Sequence, residues 1–410
     1  MNEPKLRFKK DDGSQFPDWE EKKLGDITEK VVRKDENSTA DVRMISQGNG
    51  FILQSDKYSK ENAGQSLKKY TLLKRDEFAY NHGASKVKPY GVCYRLCESD
   101  EARVPYVYHT FKLIDDDSNF WNYALNTSYM DRQLKKMVSS GARMDGLLNI
   151  GYDTYMSINV HAPSLPEQHK IASLFTELDA LIQSAEKELE GYRELKQGML
   201  QKMFPKKGET TPEIRFPEFS GDWKQRKLGD IALVSTGCPF DSKDFSDDGD
   251  FLVITNGNIQ DTSPVVDNSL GNRISIDDNK IKSAYLLDIG DVLVTMDGTV
   301  GRTAKVIING QILAQRVGRL KALNNSSFLY QWLNTGAFSK EMSILSHGGT
   351  IKHISLDEIR SYEAMIPQND KEQEKIGKYF DNLDNLITSQ QQELDGYKEL
   401  KKGLLQQMFC

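Results

Sequence analysis

The sequence of 410 residues lacks long apolar runs and contains few cysteines. No window approaches 18 consecutive apolar residues, so the sequence offers no transmembrane helix and predicts a soluble, cytoplasmic protein. The first residues, MNEPKLRFKKDDGS, contain neither an apolar core nor a small-residue cleavage site, which argues against a secretory signal. The four cysteines (Cys93, Cys97, Cys238 and Cys410) follow neither a disulfide framework nor zinc-ligand spacing, and no metal site is predicted.

Catalytic signatures are missing as well. The sequence contains no G-x-x-x-x-G-K-[ST] phosphate loop, no H-E-x-x-H metal motif, no G-x-S-x-G nucleophile turn and no N-P-P-aromatic or D-P-P-aromatic motif. The six histidines are scattered along the chain. No catalytic residue is therefore predicted, although a nuclease site built from paired carboxylates and a lysine has no tight spacing and stays open.

An overall basic charge is also absent, because the formal net charge is -6. The distribution of charge matters more than the sum, since a DNA-binding protein needs only a locally positive face. No acidic residue lies between Asp297 and Glu341. That stretch carries six basic residues: Arg302, Lys305, Arg316, Arg319, Lys321 and Lys340. It is a candidate basic face, and ordinary solvated surface is the alternative.

Most informative among the features present is an internal repeat. Residues 171–204 recur as residues 376–409, with 19 of 34 positions identical and no gap. A second, shorter repeat opens each half: the segment W-E-E-K-K-L-G-D-I at 19–27 is similar to W-K-Q-R-K-L-G-D-I at 223–231. A repeat unit of this length is too long for a solenoid and predicts two tandem units, each a globular domain followed by a helix.

The repeated segment predicts a long amphipathic helix, because apolar residues recur at alternating steps of four and three. In both copies a lysine, Lys196 or Lys401, interrupts the apolar seam, and Pro166 and Pro367 mark the helix starts. The seam residues predicted to pack helix against helix are Phe175, Leu178, Ile182, Leu189, Tyr192 and Met199 in the first copy, and Phe380, Leu383, Ile387, Leu394, Tyr397 and Leu404 in the second.

Four glycines lie inside the predicted helices, at Gly191, Gly198, Gly396 and Gly403. Each costs roughly 1 kcal/mol relative to alanine in a helix interior. The pattern predicts a close approach of another helix or of a partner at these positions, and a tolerated irregularity is the alternative.

A helix of about 34 residues rises roughly 50 Å, so a single small domain cannot cover it and the other copy is the economical partner. Pairing about an approximate two-fold axis would make the helices antiparallel and separate the globular parts by one to two turns of B-DNA, at ~34 Å per turn. We therefore predict an α+β fold with globular domains at 1–165 and 207–365 and long helices at 166–206 and 366–410.

Each globular half predicts strands that run into polar turns. Residues 43–50 match 252–259 as an apolar strand followed by amide side chains, and 76–83 match 290–298 as a strand ending in glycine. Amides at such a position can read adenine edges or simply form the turn. The shared positions are mostly turns and core, whereas the loops between them differ, which suits two modules that recognise different things.

Four motifs, in this order, point to a family. F-P-D-W-E-E-K-K-L-G-D-I and S-G-D-W-K-Q-R-K-L-G-D-I open the two domains. S-L-P-E-Q-H-K-I-A-S-L-F-T-E-L-D-A-L-I and I-P-Q-N-D-K-E-Q-E-K-I-G-K-Y-F-D-N-L-D-N-L-I open the two helices. With these motifs the chain resembles, over essentially its whole length, the specificity subunit of type I restriction-modification systems.

This resemblance implies two target recognition domains, each reading one half of a split site in double-stranded DNA, held apart by two antiparallel helices. It also implies two docked methyltransferase (modification) subunits that methylate adenine with S-adenosylmethionine. Restriction subunits that use ATP and Mg²⁺ to translocate and cut DNA are implied too. The chain itself would be a non-catalytic reader without a cofactor of its own.

Within such a reader, arginine, lysine, asparagine and glutamine side chains on the loops are expected to contact bases, and phosphate contacts to set the register. The candidates in the first domain are Arg43, Gln47, Asn81, Lys86, Lys88 and Arg143. Those in the second are Asn256, Asn258, Gln260, Arg302, Lys305, Arg316 and Arg319. A coiled-coil scaffold that binds only protein is the alternative function, and an autonomous nuclease or methyltransferase is a third.

Overall fold

The computed structural model describes residues 4–35, 37–57, 64–83, 88–138, 148–261 and 263–409. The chain divides into two compact units. The first unit consists of Met1–Ser184 and Glu393–Cys410, and the second of Ala185–Gln392. In the described parts of the chain, none of the helices combines the length and the apolar character that crossing a membrane requires.

The first unit is built around a four-stranded antiparallel sheet. The strands of the whole unit are β1 (Glu20–Lys23), β2 (Thr28–Lys30), β3 (Arg43–Ser46), β4 (Gly50–Leu53), β5 (Thr71–Lys74), β6 (Phe78–Asn81), β7 (Val92–Arg95), β8 (Glu101–Val104), β9 (His109–Leu113) and β10 (Asn159–Ala162). Its helices are α1 (Gln54–Lys57), α2 (Ser118–Ala124), α3 (Ser128–Met137), α4 (Tyr152–Met156) and the first part of α5 (Leu165–Lys202), with 3-10 turns at Leu24–Ile27 and Gly64–Lys69. The sheet order is β2-β9-β6-β7, and β1-β10, β3-β4 and β5-β8 form separate pairs.

The second unit repeats this plan. Its strands are β11 (Lys224–Lys227), β12 (Ala232–Thr236), β13 (Phe251–Ile254), β14 (Arg273–Ile274), β15 (Val292–Thr295), β16 (Thr303–Lys305), β17 (Gln311–Leu313), β18 (Val317–Ala322) and β19 (Glu363–Ile366). Its helices are α6 (Leu228–Ile231), α7 (Asn279–Tyr285), α8 (Ser326–Leu333), α9 (Ala337–Leu345), α10 (Leu356–Ser361) and part of α11 (Asp370–Met408), with 3-10 turns at Ser242–Asp244 and Asn256–Asn258. The main sheet, β12-β18-β15-β16, has the strand order of the first, whereas β13 pairs with β14 and, in parallel, with β17.

The repeated L-G-D-I motif forms the same turn in both units. The Lys23 amide donates to the Asp26 carboxylate at 3.2 Å, and the Lys227 amide donates to Asp230 at the same distance. An aspartate at this position satisfies an N–H that a short helix leaves without a partner. The turn directs the chain from an edge strand paired with β10 or β19 into the main sheet.

Within the first unit, the beginning of α5 packs antiparallel to the end of α11. The ring of Phe409 lies 5.7 Å from that of Phe175 and 5.4 Å from that of Phe120. One helical turn after Phe175, Asp179 forms an ion pair with Lys401, which precedes Phe409 by about two turns. Since positions advance on one helix while they go back on the other, the two segments run in opposite directions.

Within the second unit, the end of α5 and the beginning of α11 make the equivalent contacts. The ring of Phe204 lies 6.2 Å from that of Phe380, and Lys196 Nζ lies 2.5 Å from Asp384 Oδ1. The lysine that interrupts each seam is therefore the partner of an aspartate from the other copy of the repeat. These contacts, together with the helices and sheets, confirm the predicted α+β class and the antiparallel pairing of two long helices.

The twelve seam residues are all removed from solvent to some degree. Phe175, Leu178, Leu189, Phe380, Leu383 and Leu394 are buried, and Ile182, Tyr192, Met199, Ile387, Tyr397 and Leu404 are half-buried. The helices begin and end within a few residues of the predicted bounds. Each compact unit contains part of both helices, so the units and the four predicted segments divide the chain differently, and the segment boundaries stay a prediction.

The sequence predicts a close approach at the four helix glycines, but the described chain makes none there. A Cβ atom built at Gly191, Gly198, Gly396 or Gly403 meets nothing within 4 Å, apart from the helix itself and the adjoining residues. Gly191 and Gly396 are exposed to solvent. No packing among the described residues therefore requires glycine at these positions.

Replacing Gly191 or Gly396 by alanine is expected to raise the free energy of unfolding by about 1 kcal/mol each, because alanine loses less backbone entropy in a helix. Chemical unfolding of the two variants and of the parent chain measures this difference. Gly377→Ala is the matched control, since its Cβ would lie 2.8 Å from Phe328 N and is expected to destabilise. Equal losses at all three positions would contradict the open surroundings of Gly191 and Gly396.

Candidate nucleic-acid interface

One end of the second unit gathers four loops, which we call the loop cluster. They are residues 255–258 after β13, 296–301 after β15, 314–316 between β17 and β18, and 347–353. The Met296 amide donates to Asn256 Oδ1 at 3.2 Å, and the Gly298 amide donates to the Lys352 carbonyl at 2.9 Å. These hydrogen bonds hold loops from distant parts of the sequence together, so their polar side chains share one surface.

Arg316 is an exposed cation of the loop cluster. Its side chain is 60% exposed, and its guanidinium donates to Asp297 Oδ2 at 3.2 Å. Asp297 Oδ1 lies 2.6 Å from Nδ1 of His353, so two groups fix this carboxylate. The backbone of Arg316 has a φ of 67°, a left-handed conformation that costs a non-glycine residue on the order of 1–3 kcal/mol. A strained and exposed arginine held by a fixed carboxylate is typical of a binding site.

The three amide candidates of the second unit differ in what they bind. Asn258 is 1% exposed; its Oδ1 accepts from the Thr255 amide at 2.9 Å, and its Nδ2 donates to the Asp267 carbonyl at 2.8 Å. It therefore stabilises the turn, the alternative that its sequence position allowed, and offers no surface to a base. Asn256 is half-buried in the loop cluster, and Gln260 donates to the Asp267 carboxylate at 3.3 Å.

The acid-free stretch does not form a basic face, contrary to the sequence-based interpretation. Carboxylates from segments before and after it pair with five of its six cations. Arg302 lies 2.6 Å from Asp261, Lys305 2.6 Å from Asp381, and Arg319 2.6 Å from Asp291. Asp288 pairs with Arg319 and Lys321, and the hydrogen bond from Lys321 is the main cause that lowers the pKa of the Asp288 carboxyl. A stretch that lacks acidic residues in the sequence can thus still be surrounded by carboxylates in the fold.

Exposure separates these cations further. The side chains of Lys305 and Arg319 are 14% and 11% exposed, and that of Arg302 is 33% exposed. Lys305 Nζ also lies 5.0 Å from the centre of the Tyr330 ring. Lys305 and Arg319 therefore bind carboxylates inside the second unit, and Arg316 is the most exposed of the four cationic candidates there.

In the first unit, Arg43 begins β3 and Gln47 lies in the turn after this strand. The Arg43 side chain is 14% exposed, and its guanidinium donates to the Phe51 carbonyl at 3.3 Å on the neighbouring strand. Gln47 is half-buried. Two other candidates, Lys86 and Arg143, lie outside the described residues, so their role stays a prediction.

Asn81 ends β6, and Lys88 lies seven positions later in the sequence. Asn81 is half-buried at the end of the strand, where its Oδ1 accepts from the Gly83 amide at 3.0 Å. Lys88 Nζ donates to the Asn126 carbonyl at 3.0 Å, two residues before α3. Lys88 is thus attached to the segment that leads into this helix.

A cluster of buried ring side chains lies inside the first unit. His82 stacks on His109 with ring centres 4.9 Å apart, and Tyr80 stacks on Tyr155 at 4.0 Å. Burial lowers the pKa of His109 and raises that of the Cys93 thiol to about 12. A buried thiol that is hydrogen-bonded to Tyr155 and has a raised pKa is core packing rather than an activated nucleophile. Across the described ranges, no group of three or more His, Cys, Asp or Glu side chains is placed to hold a metal ion.

The sequence does not single out Asp297 and His353, the residues that hold Arg316. They are 56 positions apart, and neither belongs to a motif. The available signal is Gly298, which follows Asp297 directly and has a φ of 74°, so a turn at the carboxylate is predictable while its partners are not.

Comparison with known proteins places this site in a family. Residues 220–396 match the Type I restriction modification DNA specificity domain. The chain is 25% identical over 312 residues to the type I restriction enzyme MjaVIII specificity subunit of Methanocaldococcus jannaschii, covering 72% of this chain and 69% of that protein. It is 22% identical to the putative type I restriction enzyme MjaX specificity subunit of the same organism, covering 60% and 57%.

Solved structures share the fold. The type I restriction-modification S subunit from M. genitalium superposes with a TM-score of 0.63 over 100% of this chain and 99% of that chain, at 15% identity. A chain from a structure on the complex assembly and conformational transition of the type I R-M system gives 0.53 over 96% and 98%, also at 15% identity. Residues 220–396 thus match a type I restriction modification DNA specificity domain, and the chain is similar to type I restriction-modification specificity subunits in sequence over most of its length and in its fold.

Proposed function

We propose that this chain is the DNA-sequence-recognition subunit of a type I restriction-modification complex and that each unit reads one half of a split site. The observation that carries the proposal is the loop cluster of the second unit, where Arg316 is exposed on a strained turn within the matched specificity domain. An arginine fork can donate two hydrogen bonds to O6 and N7 of guanine in the major groove. The first unit has the same sheet order and would read the other half-site.

In this proposal Asp297 and His353 are positioning residues. Asp297 accepts hydrogen bonds from both Arg316 and His353, so it fixes the direction of the guanidinium before DNA binds. Fixing a side chain in advance lowers the entropy that binding would otherwise cost. The carboxylate also disfavours a phosphate at the same place, which leaves a base edge as the better ligand for Arg316.

The proposal assigns the chemistry to partner chains. Two modification subunits would dock on the long helices and methylate adenine with S-adenosylmethionine, and restriction subunits would use ATP and Mg²⁺ to translocate and cut. This chain would be non-catalytic and would supply the target sequence to its partners. Purified alone, it should transfer no methyl group to DNA in the presence of S-adenosylmethionine.

Reconstitution with a modification subunit tests the function directly. Sequencing of methylated DNA from cells with and without this gene identifies the target, and a gel shift of the reconstituted complex on that sequence measures the affinity. We expect a site of two short specific blocks separated by a nonspecific spacer. Salt-sensitive binding without any preferred sequence would refute the proposed function.

Replacing Arg316 by glutamine is expected to lower the discrimination against wrong bases at one base pair of the second half-site. The expected loss is about 1–3 kcal/mol, because the bidentate contact is lost. Arg316→Lys is the matched control, since it keeps the charge and removes the planar fork. Both variants should relax the same base pair and leave the slope of the salt dependence nearly unchanged, because the contact is to a base and not to a phosphate. Unchanged discrimination in both would exclude Arg316 as a base reader.

A further inference from the structure

Helix α3 of the first unit carries three cations on one face. Arg132, Lys135 and Lys136 are exposed and occupy positions i, i+3 and i+4, which places their Cβ atoms ~5–6 Å apart. The opposite face is anchored, since Met130 and Leu134 are 2% and 3% exposed within the core of the unit. The cations therefore project from a fixed helix rather than from a loop.

Carboxylates do not neutralise this face within the described part of the chain. Arg132 contacts the Ser128 hydroxyl at 3.4 Å and the Tyr129 ring at 5.9 Å, and no ion pair of Lys135 or Lys136 is formed with a described residue. The acid on the same helix, Asp131, is half-buried; burial raises the pKa of its carboxyl, and the charge of Lys88 opposes that shift. In the second unit, by contrast, Arg302, Lys305 and Arg319 each form an ion pair with a carboxylate.

The corresponding helix of the second unit has a different surface. Helix α9 follows Asn334 and Thr335 as α3 follows Asn126 and Thr127, but it carries one lysine and one glutamate and exposes Ile344 instead. The repeat therefore keeps the helix and changes its charge. A surface charge that one copy has and the other lacks is not required by the shared fold.

We propose that α3 is a phosphate-binding helix through which the first unit holds the DNA backbone. This inference rests on the proposed function and adds to it an asymmetry between the units. Three cations within one turn suit a DNA strand, which carries a negative charge every ~3.4 Å along the axis. Lys88, tied to the segment before α3, acts on the Asp131 carboxyl and offsets the charge of this acid. Such contacts set the register of the domain on the duplex and carry no sequence information.

The test uses the full-length chain reconstituted with its modification subunits. Binding of the triple variant Arg132→Gln, Lys135→Gln, Lys136→Gln to cognate and scrambled duplexes is measured across a series of salt concentrations. We expect the slope of log K against log salt to fall by about 2 to 3 units, at ~0.9 per lost phosphate contact, on both duplexes. The ratio of cognate to scrambled affinity should stay unchanged.

Two matched variants define the outcomes. The conservative triple Arg132→Lys, Lys135→Arg, Lys136→Arg should restore the slope, which shows that charge rather than folding is lost. The triple Lys5→Gln, Lys9→Gln, Lys10→Gln removes the same charge from exposed positions of the same unit and should leave the slope as in the parent.

An unchanged slope in the α3 variant, or an equal fall in the Lys5, Lys9 and Lys10 variant, would overturn the proposal. Failure of the α3 variant to assemble with modification subunits would also overturn it and would assign the face to a protein partner. A parent complex without sequence preference would instead refute the proposed function. The salt slope on scrambled DNA would still decide the role of α3 in that case.

Discussion

Replacing Arg215 by methionine is expected to lower the free energy of unfolding by about 3–5 kcal/mol, because it leaves the Glu372 carboxylate buried without its counter-charge. Glu372 is 1% exposed at the start of α11, and the guanidinium holds it with two hydrogen bonds of 2.7 and 2.8 Å. The Trp223 indole donates to the same carboxylate at 3.3 Å. This one neutral hydrogen bond is too weak to replace the counter-charge of Arg215. Chemical unfolding together with hydrogen exchange of β11 and β19 measures the loss in the second unit.

The repeat supplies the controls for this prediction. Arg7 holds Glu167, which is fully buried, by hydrogen bonds of 3.0 and 2.9 Å, so Arg7→Met should destabilise the first unit by a similar amount. Lys375 pairs with Glu218 on the surface of the second unit, where the loss of one partner should cost no more than about 1 kcal/mol. A cost for Arg215→Met as small as that for Lys375→Met would show that the buried pair contributes no more than a surface pair.

The repeat made the helical part of the fold predictable. Heptad spacing and two matching copies give the helices, their lengths and their antiparallel pairing. The interruption at Lys196 and Lys401 looked like a defect because its partners, Asp384 and Asp179, are distant in sequence. A signal was nevertheless present, since both aspartates, like both lysines, are identical in the two copies of the repeat.

The candidate site was less predictable for a physical reason. A stretch without acids indicates nothing about which carboxylates the fold brings to it, and Asp261, Asp291 and Asp381 all come from other segments. Arg316 remains exposed because its strained turn lies between two strands, a property that composition does not record. Residue type and spacing thus define candidate readers, whereas burial and partners decide among them.

Equivalent aspartates in the two copies differ in their surroundings. Asp384 is 8% exposed and faces Lys196 at 2.5 Å, Lys305 at 3.8 Å and the Gln331 amide at 2.8 Å. Asp179 is 32% exposed and accepts from Lys401 and from the Tyr123 hydroxyl. The same ion pair of the repeat is therefore nearly dry in the second unit and partly solvated in the first.

Replacing Asp384 by leucine is accordingly expected to cost about 3–5 kcal/mol, because Lys196 is left with its ammonium buried. The matched variant Asp179→Leu should cost no more than about 1 kcal/mol from the ion pair, since Lys401 can turn to water. Unfolding of both variants, with hydrogen exchange to assign the loss to one unit, measures the difference. The double variant Lys196→Leu, Asp384→Leu should recover most of the stability, because an apolar pair can replace a buried ion pair.

Equal costs at Asp384 and Asp179 would show that burial does not set the strength of this pair. If the double variant recovers stability and also assembles into larger species, the buried pair determines which helix each helix packs against and does not stabilise that packing. A polar residue in an apolar seam specifies register at a cost in stability, and a chain that carries two similar helices needs that selection. On this argument the lysine in each seam keeps the two copies antiparallel and in register.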